Sequence, residues 1–148
     1  MAERVRLHHT ALEAALKLKE MAIVHAEGTE SWEMASGVAT IVDAESVVIA
    51  LAPEGPGCAA TIDVARHAAG WGARVIEVAP VASVDGADLL PIPAAAEEDL
   101  APLTTVPPIA LLAFALARRR GFDPDHPAWV ERYHSQGLRH IVGVEEEG

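Results

Sequence analysis

A layered α/β domain with a mainly parallel sheet is the fold class this sequence predicts, and three observations predict it. Residues 46–52 (SVVIALA) and 74–78 (RVIEV) are rich in β-branched side chains. The first lacks any apolar–polar alternation, and both read as strands covered on two faces. Alanine- and leucine-rich helical segments precede, separate and follow these strands. Breaks at 53–57 and 70–72, built from Pro and Gly, punctuate the segments.

Taken in order, residues 4–7 can form a short strand stub, and Thr10 can cap a helix running through Leu12, Leu16, Leu18, Met21 and Ile23 towards His25. A second helical piece is expected at 29–35. The strand at 46–52 ends at Pro53, and the turn 53–57 leads into a helix at 59–69, which Gly70 and Gly72 stop. Strands at 74–78 and 88–92 follow. The final helix takes Thr104 or Thr105 as its cap, Pro107 and Pro108 in its first turn, and Arg118–Arg119–Arg120 before Gly121 as its close. The tail 122–148 reads as irregular, with a short element at 139–144 and solvated Glu145–Glu147. The whole chain, 1–148, is expected to be a single domain.

Composition narrows the function. Of 148 residues 51% are hydrophobic, enough to bury a core, so bulk disorder is excluded. Lys and Arg number 11 against 22 Asp and Glu, a net charge of -11 that repels phosphodiester backbones, and no nucleic-acid partner is expected. The apolar stretch 106–117 falls short of the ~20 residues of a spanning helix, so no membrane role is expected. A single cysteine, Cys58, and a first ten residues without an apolar targeting core point to the cytoplasm.

On the first helix Glu13, Lys17 and Glu20 fall within roughly 60° of one another at 100° per residue, forming one narrow charged stripe. Apolar residues flank it on both sides. Two readings stand: an ordinary surface ion pair worth tenths of a kcal/mol, or a charged stripe facing a cleft.

The run ALEAALKLKEMAIVHAEG, residues 11–28, resembles the start of the C-terminal sugar-isomerase lobe of glucosamine-6-phosphate synthase and related two-lobe phosphosugar isomerases. Collinear similarity continues through SVVIALAP, GARVIEV, LAPLTTVPPIALLAF and GFDPDHP, spanning nearly the whole chain. The resemblance implies a three-layer flavodoxin-like sandwich of the sugar-isomerase type. It also implies proton transfer between C1 and C2 of a sugar phosphate, with Glu20 matching the glutamate that moves the proton and Lys17 the lysine beside it. Glu33, Ser36 and Arg132 fall at positions that the family places around the sugar. No metal and no cofactor is implied.

Three departures qualify that implication. The family's ring-opening histidine aligns with Ser36, which cannot titrate near neutrality. A lysine near the family's C-terminus aligns with Arg132, whose pKa above ~12 precludes reversible proton chemistry. The phosphate loop, rich in Ser and Thr, belongs to the other lobe of the family, and the corresponding turn here (APEGPGC) is hostile to phosphate. A lobe of this kind is expected to bind sugar phosphate weakly alone, and to act with a companion lobe or as a homo-oligomer. The alternative is a non-catalytic interaction or regulatory module.

The remaining chemistry-bearing residues carry weaker signals. His8 and His9 are adjacent and lack ligand spacing with any carboxylate or cysteine. His25 reads as a packing or capping residue, and His67 as solvent-facing. His126, His134 and His140 form no motif. Cys58 lacks a partner base and reads as an inert thiol. Trp32, Trp71 and Trp129 read as packing residues, Trp129 having the best claim to a sugar because it follows Pro127. Gly55 and Gly57 belong to no nucleotide-binding pattern.

Overall fold

The computed structural model describes residues 5–94, 100–127 and 130. Its elements are α1 (Val5–Ala22), α2 (Ser31–Ser36), a 3-10 turn (Val38–Ile41), β1 (Val47–Leu51), α3 (Cys58–Gly70), β2 (Arg74–Ala79), β3 (Asp88–Pro91) and α4 (Ala101–Arg119). The three strands form one parallel sheet in the order β1-β2-β3. Val47 lies opposite Arg74 and Leu51 opposite Val78, while Ile76 faces Asp88 and Ala79 faces Pro91.

Because strand side chains alternate between faces, the register sorts the core into two halves. Ala50 and Val75 pack with Ala65 and Ala68 of α3 on one face. Leu51 and Val78 pack with Ala14 of α1, Ile109 of α4 and Ile92 on the other. The result is a three-layer sandwich, α3 over the sheet over the α1–α4 pair, as the sequence predicts. Val78 and Ile109 are fully buried, and aliphatic side chains so placed each contribute about 1.5–3 kcal/mol of transfer free energy.

The helix starts differ from expectation. Residues 5–9 contain no breaker, so α1 begins at Val5, replacing the expected stub strand, and Thr10 is buried within the helix instead of capping it. α4 likewise begins before its threonines. Thr104 and Thr105 both turn their hydroxyls back to the carbonyl of Ala101, Thr104 at 3.0 Å, the local bond that competes with capping. Pro107 and Pro108 therefore lie inside the helix, and Pro102 occupies the first turn.

This earlier start also corrects the reading of the apolar stretch. No charge lies between Asp99 and Arg118, and α4, at 19 residues, is long and apolar enough by length and composition to cross a membrane. Here its Ala101, Thr105, Ile109, Ala113 and Ala117 face inward as a buried stripe, as in the core helix of a layered domain.

Two contacts fix the chain around α1. Arg120 donates to the carbonyls of Ala22 (2.8 Å) and Ile23 (3.1 Å), closing the C-terminal end of α1 with a cation where the helix dipole favours one. Gly28 presses directly on the α1 backbone. A Cβ at that position would sit 2.5 Å from the carbonyl carbon and oxygen of Ala11 and 2.6 Å from the nitrogen of Leu12, and backbone in a helix has little room to give. Gly28→Ala is accordingly expected to cost about 3 kcal/mol, measured as a lowered midpoint of urea unfolding; an unchanged midpoint would contradict this packing.

Candidate functional site

The charged stripe of α1 is assembled as its spacing dictates. Lys17 Nζ lies 3.2 Å from Glu13 Oε1 and 3.4 Å from Glu20 Oε2, one ammonium between two carboxylates a turn away on either side. The three side chains are 32%, 41% and 39% exposed respectively. Solvent therefore reaches all of them. The hydrogen bond to Glu13, with the charges of Glu13 and Glu20, raises the Lys17 pKa above its ordinary value, outweighing the opposing effect of burial, which is second only to that hydrogen bond. Lys17 thus stays cationic at neutral pH, suited to balancing negative charge and unsuited to donating a proton. Glu20 accepts from Lys17 through Oε2, on a side chain that solvent reaches.

Around this stripe the surface is apolar. Leu12, Leu16 and Ile23 are 40–45% exposed on the same helix. The stripe therefore lies on an open helix face bordered by uncovered hydrophobic side chains.

Glu33 and Ser36 sit on α2, a different element, with bonds confined to its own turn. Glu33 Oε2 accepts from the backbone N–H of Glu30 (3.2 Å) and from the Thr29 hydroxyl (3.1 Å), completing a capping box. Ser36 is exposed, and its hydroxyl donates to the Glu33 carbonyl at 3.3 Å. The structure brings Lys17 and Glu20 together but makes no hydrogen bond or ion pair from them to Glu33 or Ser36. Arg132 lies outside the described residues, as do Trp129, His134, His140 and the expected element at 139–144.

Several other side chains differ from the sequence reading. His25 is exposed and pairs with Glu27 at 3.3 Å, so it does not pack. Trp32 and Trp71 are each about half exposed; Trp32 donates to Glu30 Oε2 at 2.6 Å. His67 is exposed as expected, its Nδ1 2.7 Å from the Asp63 carbonyl oxygen. The thiol of Cys58 points to the Ala52 carbonyl at 3.7 Å. Burial, then the negative charges of Glu77 and Glu54, push its pKa up, which suppresses the thiolate. Among the described residues no group of three or more His, Cys, Asp or Glu gathers into a metal-holding cluster.

Sequence reasoning missed Glu77. It is fully buried in β2, where Oε2 accepts the backbone N–H groups of Ser83 (2.9 Å) and Val84 (3.1 Å) and Oε1 is without a protein partner. The signal was a lone acid inside the apolar run RVIEVA. Its effect is to fasten the β2–β3 loop at the carboxyl end of the sheet, and Arg66 holds the same loop through the Ser83 carbonyl at 2.9 Å.

Comparison with known proteins bears on this arrangement. No family profile matches the chain. A glutamine–fructose-6-phosphate aminotransferase from Gloeobacter violaceus is 44% identical over 121 residues, covering 79% of this chain and 20% of that protein. The chain thus spans about a fifth of the length of the curated relatives it matches. Among solved structures, the C-terminal domain of glucosamine-fructose-6-phosphate aminotransferase from Francisella tularensis superposes with a TM-score of 0.72 at 27% identity, over 80% of this chain and 34% of that one. The fold is also that of tagatose-6-phosphate ketose/aldose isomerase from Escherichia coli, with a TM-score of 0.69 at 21% identity over 82% of this chain and 37% of that one.

The electrostatics of the stripe generate a test. Glu13→Gln removes the largest cause of the raised Lys17 pKa, so the Lys17 ammonium, followed by NMR, should titrate at lower pH in the variant. A group whose folded pKa is raised lends stability below its unfolded value, near ~10.4 for lysine, and loses it as pH rises through the folded pKa. The variant should therefore be less stable by about 0.3–0.5 kcal/mol at neutral pH, with the deficit vanishing in strong alkali. An unmoved Lys17 titration would show that Glu13 does not hold it.

Proposed function

The chain belongs to the sugar-isomerase domain family, and on that premise we propose that it carries the proton-transfer helix of a phosphosugar isomerase whose site is completed by a second lobe. The substrate class is an aldose, ketose or amino-sugar phosphate. The observation that carries the reading is the Lys17–Glu20 pair at 3.4 Å on α1, solvent-accessible, in the segment of closest resemblance.

The chemistry follows from those two groups. With the sugar ring open, the Glu20 carboxylate takes a proton from C1 of the ketose while the carbonyl π electrons move to oxygen, giving an enediolate. The Lys17 ammonium lies where it can balance that developing negative charge. The proton of the C1 hydroxyl passes through solvent to the C2 oxygen, the carboxylic acid returns its proton to C2 as the C1 oxygen electrons form the aldehyde carbonyl, and the carboxylate is regenerated. Oxidation at C1 is matched by reduction at C2, so no external electron acceptor is required. Glu33, Ser36 and Arg132 are proposed around the sugar, where Ser36 can donate or accept a hydrogen bond but cannot act as a titrating ring-opening group.

A second lobe enters for two reasons. The turn after β1 presents Pro53, Glu54 and Pro56 in place of hydroxyls, which disfavours a phosphate, and relatives carry far more chain than this. That lobe brings the phosphate grip that another copy of this one, with the same turn, would lack, and the assembled site acts in the cytoplasm on a small-molecule substrate. A non-catalytic interaction module is the second reading, favoured by Ser36 at the ring-opening position and by the engagement of Glu33 in its own helix cap.

Deuterium wash-in from solvent at C1 of fructose 6-phosphate measures the proton transfer directly. Glu20→Gln should lower the second-order exchange rate by about 10²–10⁴-fold with the fold intact by circular dichroism. Measured on the chain assembled with its second lobe, equal exchange in the variant would remove Glu20 from the role, and no exchange by the assembled parent would favour the non-catalytic module.

A further inference from the structure

Among the described residues the sheet has two outer strands, β1 and β3, and their free edges are built differently. On β3 the Ile92 N–H bonds to the Ala79 carbonyl at 3.1 Å. With a period of two Leu90 also faces β2, and Leu89 and Pro91 turn outward. Pro91 thus puts a residue without an N–H on that edge, a common protection against the addition of a further strand. β1 carries no such guard. On either side of it Ser46 and Ala52 bond to Arg74 and Val78 at 3.0 Å each, so the backbone groups of Val47, Ile49 and Leu51 turn away from β2. The strand reads VVIAL, without proline or charge. Its Ala50 packs with α3 on one face and its Leu51 with α1 and α4 on the other. It is composed as an interior strand and stands at an edge.

Charge selects what can pair there. The outward register runs back to Glu45 and forward to Pro53, which ends it. Asp43, Glu45 and Glu54, all exposed, therefore stand at the two ends of the edge. Two β1 edges paired antiparallel about Ile49 would set Asp43 and Glu45 of each copy against Glu54 of the other, like charges at both ends, which disfavours a second copy. A segment with basic residues at its ends meets opposite charge instead. Between those ends Val47, 57% exposed, offers apolar surface to the side chains of an added strand.

We propose that the free edge of β1 takes up an extended apolar segment with basic ends from a partner polypeptide, which adds a strand beside Val47–Leu51. The main chain of Val47, Ile49 and Leu51 supplies the pairing, and Asp43, Glu45 and Glu54 choose the partner. The inference goes beyond the catalytic reading and does not rest on it, because it is read by amide exchange and not by turnover.

Amide hydrogen exchange of the full chain with the synthetic peptide Lys-Lys-Val-Thr-Val-Thr-Val-Lys-Lys tests it. In the free chain the outward amides of Val47 and Ile49 should exchange faster than the inward amides of Val48 and Ala50. At roughly ten times its dissociation constant the peptide should slow Val47 and Ile49 by about tenfold. A peptide with Glu in place of each Lys should not, and the double variant Glu45→Lys, Glu54→Lys should lose the discrimination between the two peptides. Val47→Pro, which removes an outward N–H at the first residue of the strand, should weaken the Lys-flanked peptide with the circular-dichroism spectrum unchanged. Protection of Val47 and Ile49 in the free monomeric chain would assign the edge to another part of the same chain and overturns the proposal. So does their protection only in a dimer of this chain, or the absence of any slowing by the Lys-flanked peptide up to its solubility limit.

Discussion

Close packing of α1 on α4 above the sheet is the constraint on which the rest of the molecule depends. The side chains buried on the two helices are mostly small, Ala14, Ala15 and Ala22 on α1 and Ala101, Ala113 and Ala117 on α4, and Ala14 and Ile109 pack with Leu51, Val78 and Ile92. Arg120 ties the two C-terminal ends together, and Gly28 packs the following segment against the α1 backbone. With the alanine stripe turned inward, helical periodicity leaves Glu13, Lys17 and Glu20 at the edge and Leu12, Leu16 and Ile23 outside. The position of the charged residues is thus a consequence of core packing.

The same constraint accounts for what was legible from the residues. β1 and β2 could be placed because their apolar runs must be covered on both faces, and α3 because Gly70 and Gly72 stop it. Helix starts were harder. Thr10, Thr104 and Thr105 look like caps by composition, but a threonine hydroxyl can also bond back along the helix, and the choice depends on whether the preceding residues are themselves helix-compatible. The Lys17–Glu20 contact was legible because three-residue spacing alone brings such side chains together. Glu77 was not, since its burial depends on loop N–H groups that follow it in the chain and that no local pattern announces. The positions of His25, Trp32 and Trp71 depend on tertiary cover, and their exposure was not written in residue type.

On the proposed reading, the chain supplies one half of an isomerase's requirements. A carboxylate and an ammonium that is charged at neutral pH stand within reach of each other on one helix, the arrangement that proton transfer beside a developing oxyanion uses. The grip on the substrate's anionic end is a separate requirement, and the turn between β1 and α3 works against it: Glu54 lies there, and the half-buried Cys58 thiol responds to the negative charge of both Glu77 and Glu54. An acidic neighbourhood at the carboxyl end of the sheet repels phosphate where an open α/β sheet would otherwise receive it. Separation of the proton-transfer helix from the phosphate grip is what makes a second lobe necessary in this account.

A thermal-shift titration of the chain alone, with fructose 6-phosphate and glucosamine 6-phosphate beside their unphosphorylated sugars, tests that separation most directly. A bound ligand at 100 times its dissociation constant stabilises by about 2.7 kcal/mol, so binding is readily seen. The account predicts no phosphate-dependent shift for the chain by itself. A shift with the phosphorylated sugars and not with the free ones would show that this short chain builds its own phosphate site, and would contradict the division of labour argued from its β1–α3 turn.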